Sequence, residues 1–145
     1  MKEPIYTRDL LRLAASVPDD RRLANPGASV ERRSVVCGSR VTVDLTLDAN
    51  GRVRDLGLEV RACALGQASS SLMAAHAIGR SPAELAAARD DLAAWLGGRQ
   101  DDSGAWPGLE ALAPARPHIS RHPAILLPFE AVAEAAALAT LKAAA

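Results

Sequence analysis

The clearest alternation in the chain runs over 40–48, where Val41, Val43, Leu45 and Leu47 face one way and Thr42, Asp44, Thr46 and Asp48 the other. A period of two residues marks a strand with one dry and one wet face. Asn50-Gly51 follows and predicts a type I′ hairpin turn, after which Val53, Leu56, Leu58 and Val60 bring the chain back over 52–62 as another strand. The phase slip between Val53 and Leu56 predicts a bulge. Upstream, 30–37 reads as a first strand in spite of Arg32 and Arg33, charges that an edge position tolerates. Val35 and Cys37 continue its alternation, and Gly38-Ser39 turns it into the next strand. The expected product is a three-stranded antiparallel meander.

Helical spacing frames this sheet. Thr7 caps a first helix with Tyr6, Leu10, Leu13 or Ala14, and Val17 on one face, ended by Pro18-Asp19-Asp20. Asn25-Pro26-Gly27 then makes a loop. From Cys63 to Ile78 the pattern is helical, with Leu65, Ala68, Leu72 and Ala75 on one face and Gly79 as the stop. Ser69-Ser70-Ser71 has no His-carboxylate pattern to make nucleophiles of its hydroxyls, and is read as small residues at a close helix–sheet contact. His76 is read as a surface or packing residue. Ser81-Pro82-Ala83-Glu84 is a capping box that opens a helix closed by Gly97-Gly98. Residues 99–120 are irregular, pinned by Trp106, Leu109 and Leu112, with a short helical turn near Leu109. A last helix over 123–141 presents Ile125, Phe129, Val132 and Ala136, and Pro128 either begins its regular part or kinks it. The fold class expected is α+β, one domain over 1–145, with helices packed on one face of the sheet.

Composition narrows the function classes. Lysine plus arginine equals aspartate plus glutamate at 17 each, so no net field recruits nucleic acid or an acidic membrane surface. The apolar stretch 124–141 carries Glu130, Glu134 and Pro128, and two central carboxylates would cost several kcal/mol in a bilayer. It is read as the helix of a soluble protein. Met1-Lys2-Glu3-Pro4-Ile5 lacks the apolar run of a signal peptide, and two cysteines suit a reducing compartment, so the expected location is cytoplasmic.

Those two cysteines, Cys37 and Cys63, both fall at element ends. The free N–H groups at a helix start stabilise a thiolate, the form that attacks sulfur or ligates metal, which makes Cys63 the more reactive candidate. The alternative is that both are small buried hydrophobes.

Cys37-Gly38-Ser39, the Asn50-Gly51 hairpin, Ala62-Cys63 followed by Gln67-Ala68-Ser69-Ser70-Ser71-Leu72-Met73, and the Asn25-Pro26 pair after the first helix together resemble the iron–sulfur cluster scaffolds of the IscU/NifU amino-terminal type. The resemblance covers most of the chain. It implies the SufE/NifU-like fold and a non-enzymatic protein on which a two-iron cluster is built, with sulfur delivered as persulfide by a cysteine desulfurase. The family's ligands resemble three cysteines and an aspartate: a Cys-Gly-Asp turn, a cysteine opening the helix after strand three, and a cysteine at the start of the last helix. Cys37 and Cys63 match the first two cysteines, and Ser39 stands where the aspartate belongs.

Matching 125–132 to the family's apolar run after its last cysteine places Ala124 at the third ligand position, behind Pro123 and with Arg121 in place of an upstream basic residue. His118 and His122 lie close by. Histidine can replace a thiolate on iron or zinc, so His122 joins Cys37 and Cys63 as a candidate metal ligand; otherwise both histidines are loop residues. The proline-rich chaperone segment of some scaffolds is not recognisable in 113–117. Three functions remain open: a scaffold binding iron or a [2Fe-2S] cluster, as a homodimer or with an added thiol; a persulfide acceptor for the desulfurase; or a zinc-holding or metal-free interaction protein.

Overall fold

The computed structural model describes residues 4–18 and 21–144. Among them the order is α1 (Arg8–Ala15), β1 (Ala28–Arg33), β2 (Arg40–Leu47), β3 (Val53–Arg61), α2 (Ala64–His76), α3 (Pro82–Leu96) and α4 (His122–Ala144). Two 3₁₀ segments, Leu109–Ala115 and Ile119–Arg121, join α3 to α4.

The sheet is the expected antiparallel meander, ordered β1-β2-β3. Its register sets Val30 against Val43 and Val43 against Leu58, so one face is a continuous apolar surface. The bulge is present: Thr46 pairs with Asp55 and Leu47 with Val53, leaving Arg54 unpaired between them. The hairpin turn is of another type. Asn50 keeps a negative φ and only Gly51 is left-handed, at +77°. Gly51 N–H donates to the Asp48 carbonyl and Asp48 N–H to that of Arg52, a three-residue loop with glycine at the bulge position, while the Asp48 carboxylate accepts from the N–H groups of Asn50 and Arg52. The acid that fixes this turn sits before the Asn-Gly pair rather than in it.

The apolar face is covered by α4, which lies across β1 and β2 and is flanked by α2 and α3. Ile125, Phe129, Val132 and Ala136 are buried as expected, and so are Leu127, Pro128, Ala131, Ala133 and Ala135, because α4 runs through the middle of the core with neighbours on several sides. Burying a side chain of the size of Ile125 or Phe129 contributes about 2 kcal/mol, so this helix is the main apolar support of the fold. Pro128 is internal. It has no N–H for the Ala124 carbonyl, and one residue on, the Ile125 carbonyl takes an additional bond from the Ser69 hydroxyl of α2.

The serine run thus has a different explanation from the one expected. Ser69 donates to Ile125 of α4, Ser71 to the Leu13 carbonyl of α1, and Ser70 to the Gly66 carbonyl within α2. The first two are helix–helix ties, and the three bonds together allow the hydroxyls to be buried. Ala75, placed on the inner face by periodicity, is exposed, whereas Gly66 and Met73 are buried. Helix α1 is capped by Thr7 as expected but ends at Ala15, with Asp19 and Asp20 of the expected stop outside the described residues. The α3 capping box is formed in full by Ser81 and Glu84. Trp106 pins the irregular segment, its ring N–H donating 2.9 Å to the Leu72 carbonyl and its face meeting Phe129 edge-on at 5.4 Å.

The second face of the sheet is partly covered. Thr42 and Asp44 are buried, and over Asp44 the cover is 21–23: Arg21 pairs with Leu58 at the β3 edge, and the chain then folds inward across Gly57, which lies opposite Asp44. A Cβ on Gly57 would stand 2.7 Å from the Arg21 carbonyl oxygen and 2.8 Å from the Leu23 nitrogen, both backbone atoms that cannot rotate away. Gly57→Ala is therefore expected to destabilise the fold by about 2–3 kcal/mol, the usual cost of forced overpacking. Denaturant midpoints check this; a midpoint equal to the parent's would mean that 21–23 is only loosely laid on the sheet.

Candidate functional site

Strand β1 ends at Arg33, earlier than its alternation suggested. The Ser34 N–H donates 2.8 Å to the Ser39 carbonyl, and the Gly38 N–H donates 2.8 Å to the Ser34 carbonyl. Residues 35–38 are consequently a closed loop, with Gly38 left-handed at φ +72°. Val35 is 99% exposed and Val36 65%, so their apolar spacing belongs to a loop tip and not to the core.

Cys37 is exposed on this loop. Its thiol donates to the Ser39 hydroxyl at 3.0 Å. Ser34 and Ser39, both buried, bracket the sulfur, and their hydroxyls, that of Ser34 first, hold the Cys37 thiol below its ordinary range. The Ser34 hydroxyl has no hydrogen-bond partner of ordinary geometry, so a sulfur anion is the acceptor it lacks. Sequence reasoning missed Ser34. The only available signal was symmetrical, two serines flanking one cysteine in Ser34-Val35-Val36-Cys37-Gly38-Ser39.

Cys63 is the N-cap of α2 rather than a residue within it, with extended backbone angles and no side-chain capping bond. Its carbonyl accepts from the Gln67 N–H at 2.9 Å. The side chain is half-buried and leans on the core, so Cys37 is the more accessible of the two thiols. A thiol-reactive reagent such as iodoacetamide is expected to modify Cys37 at least severalfold faster than Cys63 near neutral pH, by exposure and by the two hydroxyls together. Peptide mapping of a partial reaction measures the ratio, and preference for Cys63 would restore the helix-dipole argument.

The two cysteines lie beyond the same end of the sheet. Arg40 pairs with Arg61 in the last rung of β2 and β3, and continuing that register would set Gly38, the neighbour of Cys37, opposite Cys63. The same rung carries Arg33, Arg40 and Arg61 side by side across all three strands. Glu31 and Glu59 in the next row answer part of this charge, at 2.7 Å from Arg33 and 3.8 Å from Arg40. Like charges placed directly opposite cost stability, which such pairing with the neighbouring acids offsets.

The remaining predicted donors divide. Ala124, almost fully buried, lies against the first turn of α2: its carbonyl oxygen is 3.5 Å, and its methyl 3.9 Å, from the point where a Gly66 Cβ would stand, with the Ala62 methyl 2.7 Å from that point. It therefore sits one helical turn from Cys63. His122 is engaged elsewhere. Its Nε2 lies 2.9 Å from the Arg116 carbonyl, which can only accept, so that nitrogen carries the proton. The ring helps line a pocket with Leu96, Gly97 and Gly98 at the end of α3. Among the described residues no group of three or more His, Cys, Asp or Glu side chains is placed to hold a metal ion, so His122 is not gathered with Cys37 and Cys63 into such a set. The residues present do not by themselves complete a four-donor ligand shell.

No curated protein matches the chain. Among solved structures, a nitrogen-fixing NifU-like protein (N-terminal) from Brucella abortus is 38% identical, covering 94% of this chain and 95% of that one with a TM-score of 0.84. A putative iron-sulfur cluster assembly scaffold protein for the SUF system from Fervidobacterium islandicum AW-1 shares the fold at 20% identity and a TM-score of 0.82, covering 91% of this chain and 96% of that one. Residues 16–113 match the family model described as the NifU-like N terminal domain, and that span reaches from the end of α1 through the sheet and both thiols to the first 3₁₀ segment. The chain belongs to the NifU-like N-terminal domain family.

Proposed function

We propose that the protein serves iron–sulfur cluster assembly as a scaffold-type, non-catalytic partner of a cysteine desulfurase, with Cys37 and Cys63 as the thiolate pair that meets the cargo. The reading is carried by one observation: the chain's only two cysteines stand beyond the same end of the sheet, one exposed on a loop and one capping a helix, in a member of this family. Iron, zinc or a [2Fe-2S] cluster is cargo here, and two thiolates leave such an ion two donors short. The rest of the shell comes from outside the chain, from a second copy or an added thiol.

A second reading is sulfur acceptance without a retained cluster. It is favoured by the exposed Cys37 with its flanking hydroxyls and by the lack of a third donor among the described residues. Anaerobic incubation with Fe(II) and a persulfide source separates the two when Cys37→Ser and Cys63→Ser are compared with the parent. The scaffold reading expects iron and sulfide retention to need both thiols, while sulfur uptake needs Cys37 alone. Iron retention that survives both substitutions would sink the shared site.

A further inference from the structure

We propose that Ser34 is the positioning residue for sulfur carried on Cys37, its buried hydroxyl donating to the terminal sulfur of a Cys37 persulfide. The inference rests on the sulfur-accepting role of Cys37 given above. Three observations lead to it. Ser34 is 6% exposed and its hydroxyl is buried with no hydrogen-bond partner, although a hydroxyl taken out of water without one is a net cost to the fold. Its backbone is fixed at both polar groups, N–H to Ser39 and carbonyl to Gly38, so the residue is held in place beside Cys37. Beside it, the Cys37 sulfur has one hydrogen bond of ordinary geometry, to the Ser39 hydroxyl at 3.0 Å, while the Ser34 hydroxyl flanks it without one.

Sulfur transfer supplies the missing acceptor. The Cys37 thiolate attacks the outer sulfur of a protein persulfide; a new S–S bond forms to Cys37, the donor's S–S bond breaks, and the donor cysteine leaves as a thiolate. The outer sulfur keeps its hydrogen, so the products are a Cys37 persulfide and a free donor thiolate. The sulfur chain on Cys37 is now one atom longer and has lone pairs to be held, with one hydroxyl on each flank. Val35 and Val36, exposed on the same loop, leave the approach to Cys37 open.

Glutathione persulfide, used anaerobically on the full chain, is the probe, and the readout is the lifetime of the Cys37 persulfide after excess donor is removed. Ser34→Thr and Ser34→Val have matched shapes and differ in the hydroxyl, and Ser34→Ala removes it without adding bulk. The parent and Ser34→Thr are expected to hold the persulfide about equally long, whereas Ser34→Val and Ser34→Ala lose it about tenfold faster, the loss of one hydrogen bond to a charged or polarisable partner. Unfolding midpoints should move the other way or not at all, because removing an unpaired buried hydroxyl does not weaken the fold. Equal lifetimes across all four proteins overturn the role of Ser34 while leaving sulfur acceptance standing, and so does a threonine variant as short-lived as the valine one. A parent that takes up no sulfur on Cys37 overturns both.

Discussion

Asp44→Ala is expected to lower the free energy of unfolding by about 3 kcal/mol, the scale of breaking a buried, hydrogen-bonded ion pair. The carboxylate is fully buried in β2 and accepts four bonds: from Arg22 Nε at 2.7 Å and Nη2 at 3.1 Å, from the Ser29 hydroxyl at 2.6 Å and from the Leu23 N–H at 2.9 Å. These bonds hold 21–23 down on the outer face. Removing the acceptor leaves the Leu23 N–H without its partner, whereas the exposed Ser29 hydroxyl and the Arg22 side chain, 48% exposed, can turn to water, which keeps the loss from being larger. Burial pulls the Asp44 carboxyl up, but the bonds from Arg22, Ser29 and Leu23 outweigh it and hold the group below its ordinary value. A depressed carboxyl stabilises the fold above its unfolded pKa of about 3.9 and loses that contribution as pH falls through the lower folded value. The gap between parent and variant in urea midpoint should therefore be widest near pH 7 and narrow below about pH 4. Indistinguishable midpoints at pH 7 would show that the crossing segment contributes nothing.

Why these features were or were not legible can be traced residue by residue. The β2–β3 hairpin, the bulge near Arg54 and the Ser81–Glu84 box were readable because each is written in neighbouring residues. Thr42 and Asp44 looked wet because alternation reports polarity, and nothing periodic in 21–23 announces that it folds over Asp44. Val35 misleads for the converse reason: an apolar residue in phase with a strand extends its alternation, while the bond from Ser34 to Ser39 has already closed the ladder. At the site, Cys37 and Cys63 stood out by chemistry alone. Ser34 did not, since what distinguishes its hydroxyl is the lack of a partner, a property of three dimensions.

Ala124→Cys is expected to raise the retention of zinc or Fe(II) at least about tenfold, because two thiolates leave these ions short of the four donors they favour and a placed thiolate is a better third than water. Position 124 meets the geometric need. It lies beside Gly66, one turn along α2 from Cys63, and is only 3% exposed. Alanine and cysteine differ little in volume, so the core should accept the change at small cost. His122 is placed differently. Two positions along a helix is a rotation of about 200°, so from the start of α4 its ring is turned away from the Ala124 side, toward the end of α3 and the Arg116 carbonyl. His122→Ala should accordingly leave metal retention unchanged, in the parent and in the Ala124→Cys variant alike. Equilibrium dialysis against a competing chelator measures both. If Ala124→Cys has no effect and His122→Ala abolishes binding, the third donor is the histidine, and the ring must leave Arg116 to reach the thiols.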